Sequence, residues 1–166
     1  MSTRTSQGTS ASDVAPLSSP TGYDLHPLNA AEREEYASTL SVEERRVILH
    51  QGTERAFCGA LLHNKASGIY ACRLCGLPLF KANTKFESGT GWPSFNQPFD
   101  DAHVRELRDT SHGMIRVEIR CRRCDGHLGH MFEDGPAPTY KRYCLNSVSL
   151  QFVPDGEEPA QRVAGG

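Results

Sequence analysis

Two Cys-x-x-Cys pairs, Cys72/Cys75 and Cys121/Cys124, with 45 residues between Cys75 and Cys121, constrain this chain more than any other feature in it. Two residues between cysteines is the spacing of a metal knuckle, which offers two thiolates from one tight turn. Four thiolates complete a tetrahedral shell and leave no position for water, so the site they imply is structural, and zinc, or iron in its place, is the ion expected. The interval is too long for a compact zinc ribbon, so the metal would staple two distant hairpins. Gly76 and Gly126 would free the backbone where amides approach sulfur. Three disulfides are the other use of six cysteines, but Met1 to Asp13 lacks the apolar core of an export signal. Two redox-active pairs would lack the strand-to-helix setting of thioredoxin-like motifs. A reducing, cytoplasmic setting is therefore expected, with the Ser/Thr-rich start read as a plain tail rather than a transit segment.

The rest of the chain suits one domain: residues 1–24 read as a disordered tail, 25–154 as the domain and 155–166 as a flexible C-terminal tail. Asn29 is placed to cap a helix running to about Leu40. Ser41 and Glu44 form a capping box for a second short helix, with Val42, Val47 and Ile48 facing inward and Arg45 and Arg46 in solvent. Beyond Gly52 the apolar stretches are short and punctuated by Gly and Pro. Gly68–Ala71, Met114–Ile119 and Ser147–Val153 read as strands, the last two with period-two alternation, so the domain is α+β or mainly β. A net charge of -2 and a pI near 6.4 give no case for nucleic acid. No apolar run approaches the ~20 residues that span a bilayer.

Setting the knuckles aside leaves Cys58 and Cys144. If Cys144 lies on a strand, Arg142 shares its face and can favour the thiolate, the reactive form of the group. Upstream, His127 and His130, with a nearby carboxylate, could supply acid–base chemistry; on spacing alone they could equally be metal ligands or surface groups. Trp92 sits among Gly89, Gly91 and Pro93, where either a core ring or a ligand-facing one fits.

The segments Lys85-Phe86-Glu87-Ser88-Gly89-Thr90-Gly91-Trp92-Pro93-Ser94-Phe95, His127-Leu128-Gly129-His130 and Arg142-Tyr143-Cys144-Leu145-Asn146-Ser147, together with both knuckles, resemble the B-type methionine sulfoxide reductases over roughly Glu32 to Val153. The resemblance implies a mainly β fold of two antiparallel sheets with short N-terminal helices and a structural four-cysteine zinc site. It implies reduction of the R epimer of methionine sulfoxide, free or protein-bound, with thioredoxin as reductant; a monomer is expected. Cys144 matches the nucleophile, Trp92 the wall that receives the substrate methyl, and His127 and His130 the pair that binds and protonates the sulfoxide oxygen. Arg142, Asn146 and Asp134 match groups that tune the thiolate and orient that pair. One position departs from a common pattern: Thr90 stands where many members keep a second thiol near the Trp loop. By subtraction Cys58 becomes the expected resolving cysteine, with Gly59 letting its segment move. A zinc-ribbon binding module without catalysis and a peroxide-reducing thiol enzyme are the competing classes.

Overall fold

Both helices in the computed structural model, which describes residues 18–157, begin at the caps that the sequence offers. In α1 (Ala30–Ala37) the Asn29 side chain accepts from the Glu32 amide and Glu32 reaches back to the Asn29 amide, so two helix-end donors are satisfied reciprocally. The Ser41/Glu44 pair does the same for α2 (Val42–Ile48). α1 stops short of Leu40, because the hydroxyls of Ser38 and Thr39 bond the carbonyls of Glu35 and Tyr36 at the helix end. Val47 and Ile48 are buried, but Val42 is 86% exposed, against expectation. At 3.6 residues per turn it lies roughly 120–140° round the helix from both.

Nine strands follow: β1 (Gly68–Cys72), β2 (Pro78–Lys81), β3 (Lys85–Phe86), β4 (Ser94–Phe95), β5 (Val104–Asp109), β6 (Arg116–Cys121), β7 (His127–Phe132), β8 (Arg142–Leu145) and β9 (Leu150–Pro154). They form the expected two sheets, β2-β1-β9 and β3-β4-β8-β7-β6-β5, with every pairing between these strands antiparallel. The expected strand over Ser147–Val153 begins only at Leu150, since Ser147–Ser149 close a 3-10 turn. The strand expected at Met114–Ile119 runs instead over Arg116–Cys121.

Tyr70 of β1 and Phe80 of β2, from one sheet, meet Phe95 of β4 and Tyr143 of β8, from the other. Phe80 stacks on Phe95 at 4.7 Å between centroids, and Tyr70 meets Phe95 edge-on at 5.0 Å. Tyr70, Phe80 and Phe95 are fully buried, each contributing about 1.5–3 kcal/mol through area removed from water. This seam leaves the opposite face of the six-stranded sheet free for chemistry. Residues 1–17 and 158–166, most of the two expected tails, lie outside the described residues. Within them, order reaches back past Leu25: the Ser19 amide bonds the Tyr23 carbonyl at 2.9 Å, and the Ser19 hydroxyl bonds buried His103 at 2.8 Å.

Candidate active site and four-cysteine centre

Alternation along β8 sends Tyr143 and Leu145 into the core and turns Arg142 and Cys144 to the other face. In register, Cys144 stands between Ser94 of β4 and His130 of β7, and His130 is followed across the sheet by Glu118 of β6. Directly opposed cross-strand residues share a face, so thiol, imidazole and carboxylate lie in one row. A cavity of about 110 Å³ opens on that row, with Trp92, Arg116, His130, Phe132, Cys144 and Asn146 among its walls. Trp92 is half-buried along this cavity rather than sealed in the core, and its indole N–H donates to the Glu54 carbonyl at 3.0 Å. Burial pushes the Cys144 thiol above its ordinary value, with Arg142 and a hydrogen bond to Thr90 pulling the other way. Arg142 is held by Asp134 through two bonds of 2.8 and 3.1 Å and lies over the Phe132 ring, 4.3 Å from its centroid.

His127 and His130 are three residues apart and would face opposite sides of a regular strand. The register of β6 with β7 slips by one residue, pairing Ile119 with Gly129 and Arg120 with His127, so Leu128 is the extra residue of a β-bulge. Both rings consequently reach the same side and meet edge to face at 5.6 Å. Each is tied to a carboxylate: His127 Nδ1 to Glu118 at 2.7 Å, and His130 Nε2 to Asp109 at 2.8 Å. Burial lowers the pKa of His127, against the opposing pull of Glu118. His127 is buried behind the cavity, whereas His130 forms part of its wall.

At the end of the core that β1 and β6 reach, Cys72, Cys75, Cys121 and Cys124 bring four buried sulfurs within 4.8 Å of one another. A tetrahedral ion with metal–sulfur bonds of about 2.3 Å needs sulfurs roughly 3.8 Å apart, so the cluster fits a zinc-sized cation. Hydrogen bonding from Cys121 holds the Cys72 thiol well below its usual value, while Cys121 pushes Cys75 and Cys124 well above theirs. So crowded a set ionises together only around a cation. Residues Gly76 and Asp125, each just after a knuckle's second cysteine, adopt positive φ of 83° and 60°. Gly126 serves differently, by close approach: a Cβ there would stand 2.8 Å from Ile48 and 3.3 Å from the Cys124 sulfur.

The SelR domain family model matches residues 40–154. The peptide methionine sulfoxide reductase MsrB of Caulobacter vibrioides (strain NA1000 / CB15N) is 63% identical over 144 residues, 87% of this chain and 90% of that protein. Its counterpart from Xylella fastidiosa (strain M23) is 60% identical over 134 residues, 81% of this chain and 86% of the relative. The Escherichia coli (strain K12 / DH10B) protein is 52% identical over 129 residues, 78% and 93%. The chain belongs to the MsrB family of peptide methionine sulfoxide reductases. As an MsrB-family enzyme it is not a bare zinc-ribbon module.

For an MsrB-family chain, the placement of the expected site residues is uneven. Cys144, His130, Trp92 and Asn146 share the cavity; Arg142 adjoins Cys144, and Asp134 reaches the site only through Arg142. Asn146 bonds the backbone of Glu54 and Leu128, not the histidines, so it ties the 53–57 loop to β7. Cys58 directly follows that loop, exposed and outside the cavity walls. Gly59 is there for packing and not for motion, because a Cβ would run into Ser147 and the Glu54 carboxylate. Glu54, Asp109, Arg116 and Glu118 went unnoticed in the sequence. The polar alternation of Arg116, Glu118 and Arg120 in β6 was a usable sign of a solvated face, but nothing local tells which histidine each acid meets.

Proposed function

We propose that this enzyme reduces methionine-R-sulfoxide, free or protein-bound, by attack of the Cys144 thiolate on the sulfoxide sulfur. The observation that carries the reading is the convergence of Cys144, His130 and Trp92 on one small cavity. Sulfoxides resist thiolates until their oxygen is protonated, so an acid must stand beside the nucleophile. His130 fills that role, and His127, buried and drawn toward its neutral form, acts through its edge-to-face contact with the His130 ring. The thiolate, the sulfoxide and one proton give methionine and a sulfenic acid on Cys144. Trp92 receives the methyl group, whose partial positive charge favours an indole face. Cys58 then condenses with the sulfenic acid, releasing water and forming a disulfide that thioredoxin opens. That step needs the two Cα atoms within about 7 Å, and the exposed segment carrying Cys58 is the part that supplies the approach, although Gly59 beside it packs tightly. Zinc on Cys72, Cys75, Cys121 and Cys124 supplies structure and no chemistry.

Separated R and S epimers of a blocked methionine sulfoxide test the substrate: turnover with the R form alone supports the reading, and equal turnover, or faster reduction of peroxide, ends it. Cys144→Ser should abolish the reaction. Cys58→Ser should release one fast equivalent of methionine per chain and then stall with thioredoxin while dithiothreitol still sustains turnover. Normal thioredoxin-driven turnover would make Cys58 a bystander.

A further inference from the structure

We infer that Asp109, at the end of the edge strand β5, is a positioning residue for sulfoxide reduction: it holds His130 by Nε2 and so commits Nδ1 to the proton passed to substrate. The inference rests on the reading of His130 as the acid.

The two oxygens of Asp109 have separate tasks. Oδ1 accepts from the Ser111 amide at 2.9 Å and closes the turn after β5. Oδ2 accepts from His130 Nε2 at 2.8 Å and from Arg116 at 3.2 Å. A carboxylate needed only for the turn would require Oδ1 alone. Asp109 and Arg116 are paired at the turn end of the β5–β6 hairpin, and Arg116 also bonds the Ser111 hydroxyl at 3.3 Å, so Oδ2 has a second anchor besides the imidazole. Hydrogen bonds from Ser111 and His130 hold the Asp109 carboxyl well below the usual carboxylate range, which keeps it an acceptor throughout the working pH range. With Nε2–H given to this acceptor, a neutral His130 carries no proton on Nδ1 and a charged one does. Proton delivery and ring charge are thereby coupled. The charged and titratable groups around His130 are Asp109 from β5, Arg116 and Glu118 from β6, His127 on its own strand, and Cys144 with Arg142 from β8, while His50, Arg108, His112 and Arg120 line the same outer cavity. Asp109 is the one among them that this ring is bonded to.

Asp109→Asn separates the tasks, because the amide oxygen can still close the turn while an NH2 group replaces the acceptor at His130. The single-turnover rate of sulfoxide reduction should fall about tenfold or more near neutral pH, and its alkaline limb should move to lower pH, with the melting temperature little changed. Glu106→Gln, which removes an exposed carboxylate from the same strand, should keep the wild-type pH profile. Nitrogen NMR of the wild-type protein gives a second measure that no variant can spoil: the neutral His130 ring should carry its proton on Nε2. A proton on Nδ1, or an unmoved pH profile in folded Asp109→Asn while His130→Ala is slow, overturns the inference. Full speed in His130→Ala would instead overturn the acid assignment beneath it.

Discussion

A half-buried thiol is a poor nucleophile until some cation offsets its partial desolvation, and beside Cys144 that cation is Arg142. Its guanidinium is steadied by Asp134 and by the Phe132 ring, so its position is fixed before substrate arrives. Replacing it should therefore move the thiol upward. In a Cys58→Ser background, the pH midpoint for alkylation of Cys144 by iodoacetamide is expected to rise in Arg142→Met; an unchanged midpoint would assign the thiolate to other partners. Trp92, on the reading proposed above, acts on the substrate rather than on the thiol. Trp92→Ala should weaken sulfoxide binding by about 1 kcal/mol, about fivefold in KM, whereas exposed Gln97→Ala should leave KM alone. Equal effects in the two variants would return the indole to an ordinary packing role.

At the scale of elements, the site is a property of how β7 lies between β6 and β8. The bulge at Leu128 turns His127 to the side of His130, and the next residue, Gly129, lets β8 approach closely. A Cβ at Gly129 would overlap the Cys144 carbonyl oxygen and stand 2.9 Å from the Leu145 Cα, both of them backbone atoms with little freedom to yield. Gly129→Ala should cost about 1–3 kcal/mol of stability by overpacking and reduce activity beyond that loss, since it displaces Cys144 from His130. Thermal melting beside single-turnover rates checks both parts; wild-type values in each would show that the strands have more slack than this contact allows.

For the molecule as a whole, the four cysteines join β1 to β6 across the two sheets, so metal removal should be felt as loss of folding. One ion per chain is expected on metal analysis, and Cys72→Ser or a strong chelator should lower the melting temperature. A metal-free protein of undiminished stability would contradict the role given to this centre. Acid should destabilise the fold in two stages. Burial holds His103 and His127 below their ordinary values, so the unfolded chain takes up protons first and stability declines as pH falls below about 6.5. Burial also raises Glu118, but the hydrogen bonds from Arg120 and His127 outweigh it and leave a net depression. Its share of stability is present above about pH 4.3 and lost below it. Melting temperatures between pH 8 and pH 3 measure this, and a flat profile would mean these groups are no more constrained in the folded chain than out of it.

The strands were legible in the sequence as elements but not in their bounds, which pairing sets. Helix starts and the cysteine knuckles were legible because each is set within a few residues: Asn29 with Glu32, Ser41 with Glu44, and the two-residue gap between paired cysteines. The match of the Trp92, His127–His130 and Cys144 segments to a known family was legible for the same reason. Only the tertiary structure decided which side chains stand together around Cys144. A strand three residues further along presents its opposite face, and one extra residue at Leu128 reverses that outcome, a register event fixed by pairing with β6 and not by any local preference. Asp109 and Glu118 meet their histidines by the same cross-strand register, and Glu54 meets Ser147 and Val148 across a still longer stretch of chain. Val42 faces solvent and Gly59 packs tightly for the matching reason: what surrounds a residue is set by the other elements folded against it.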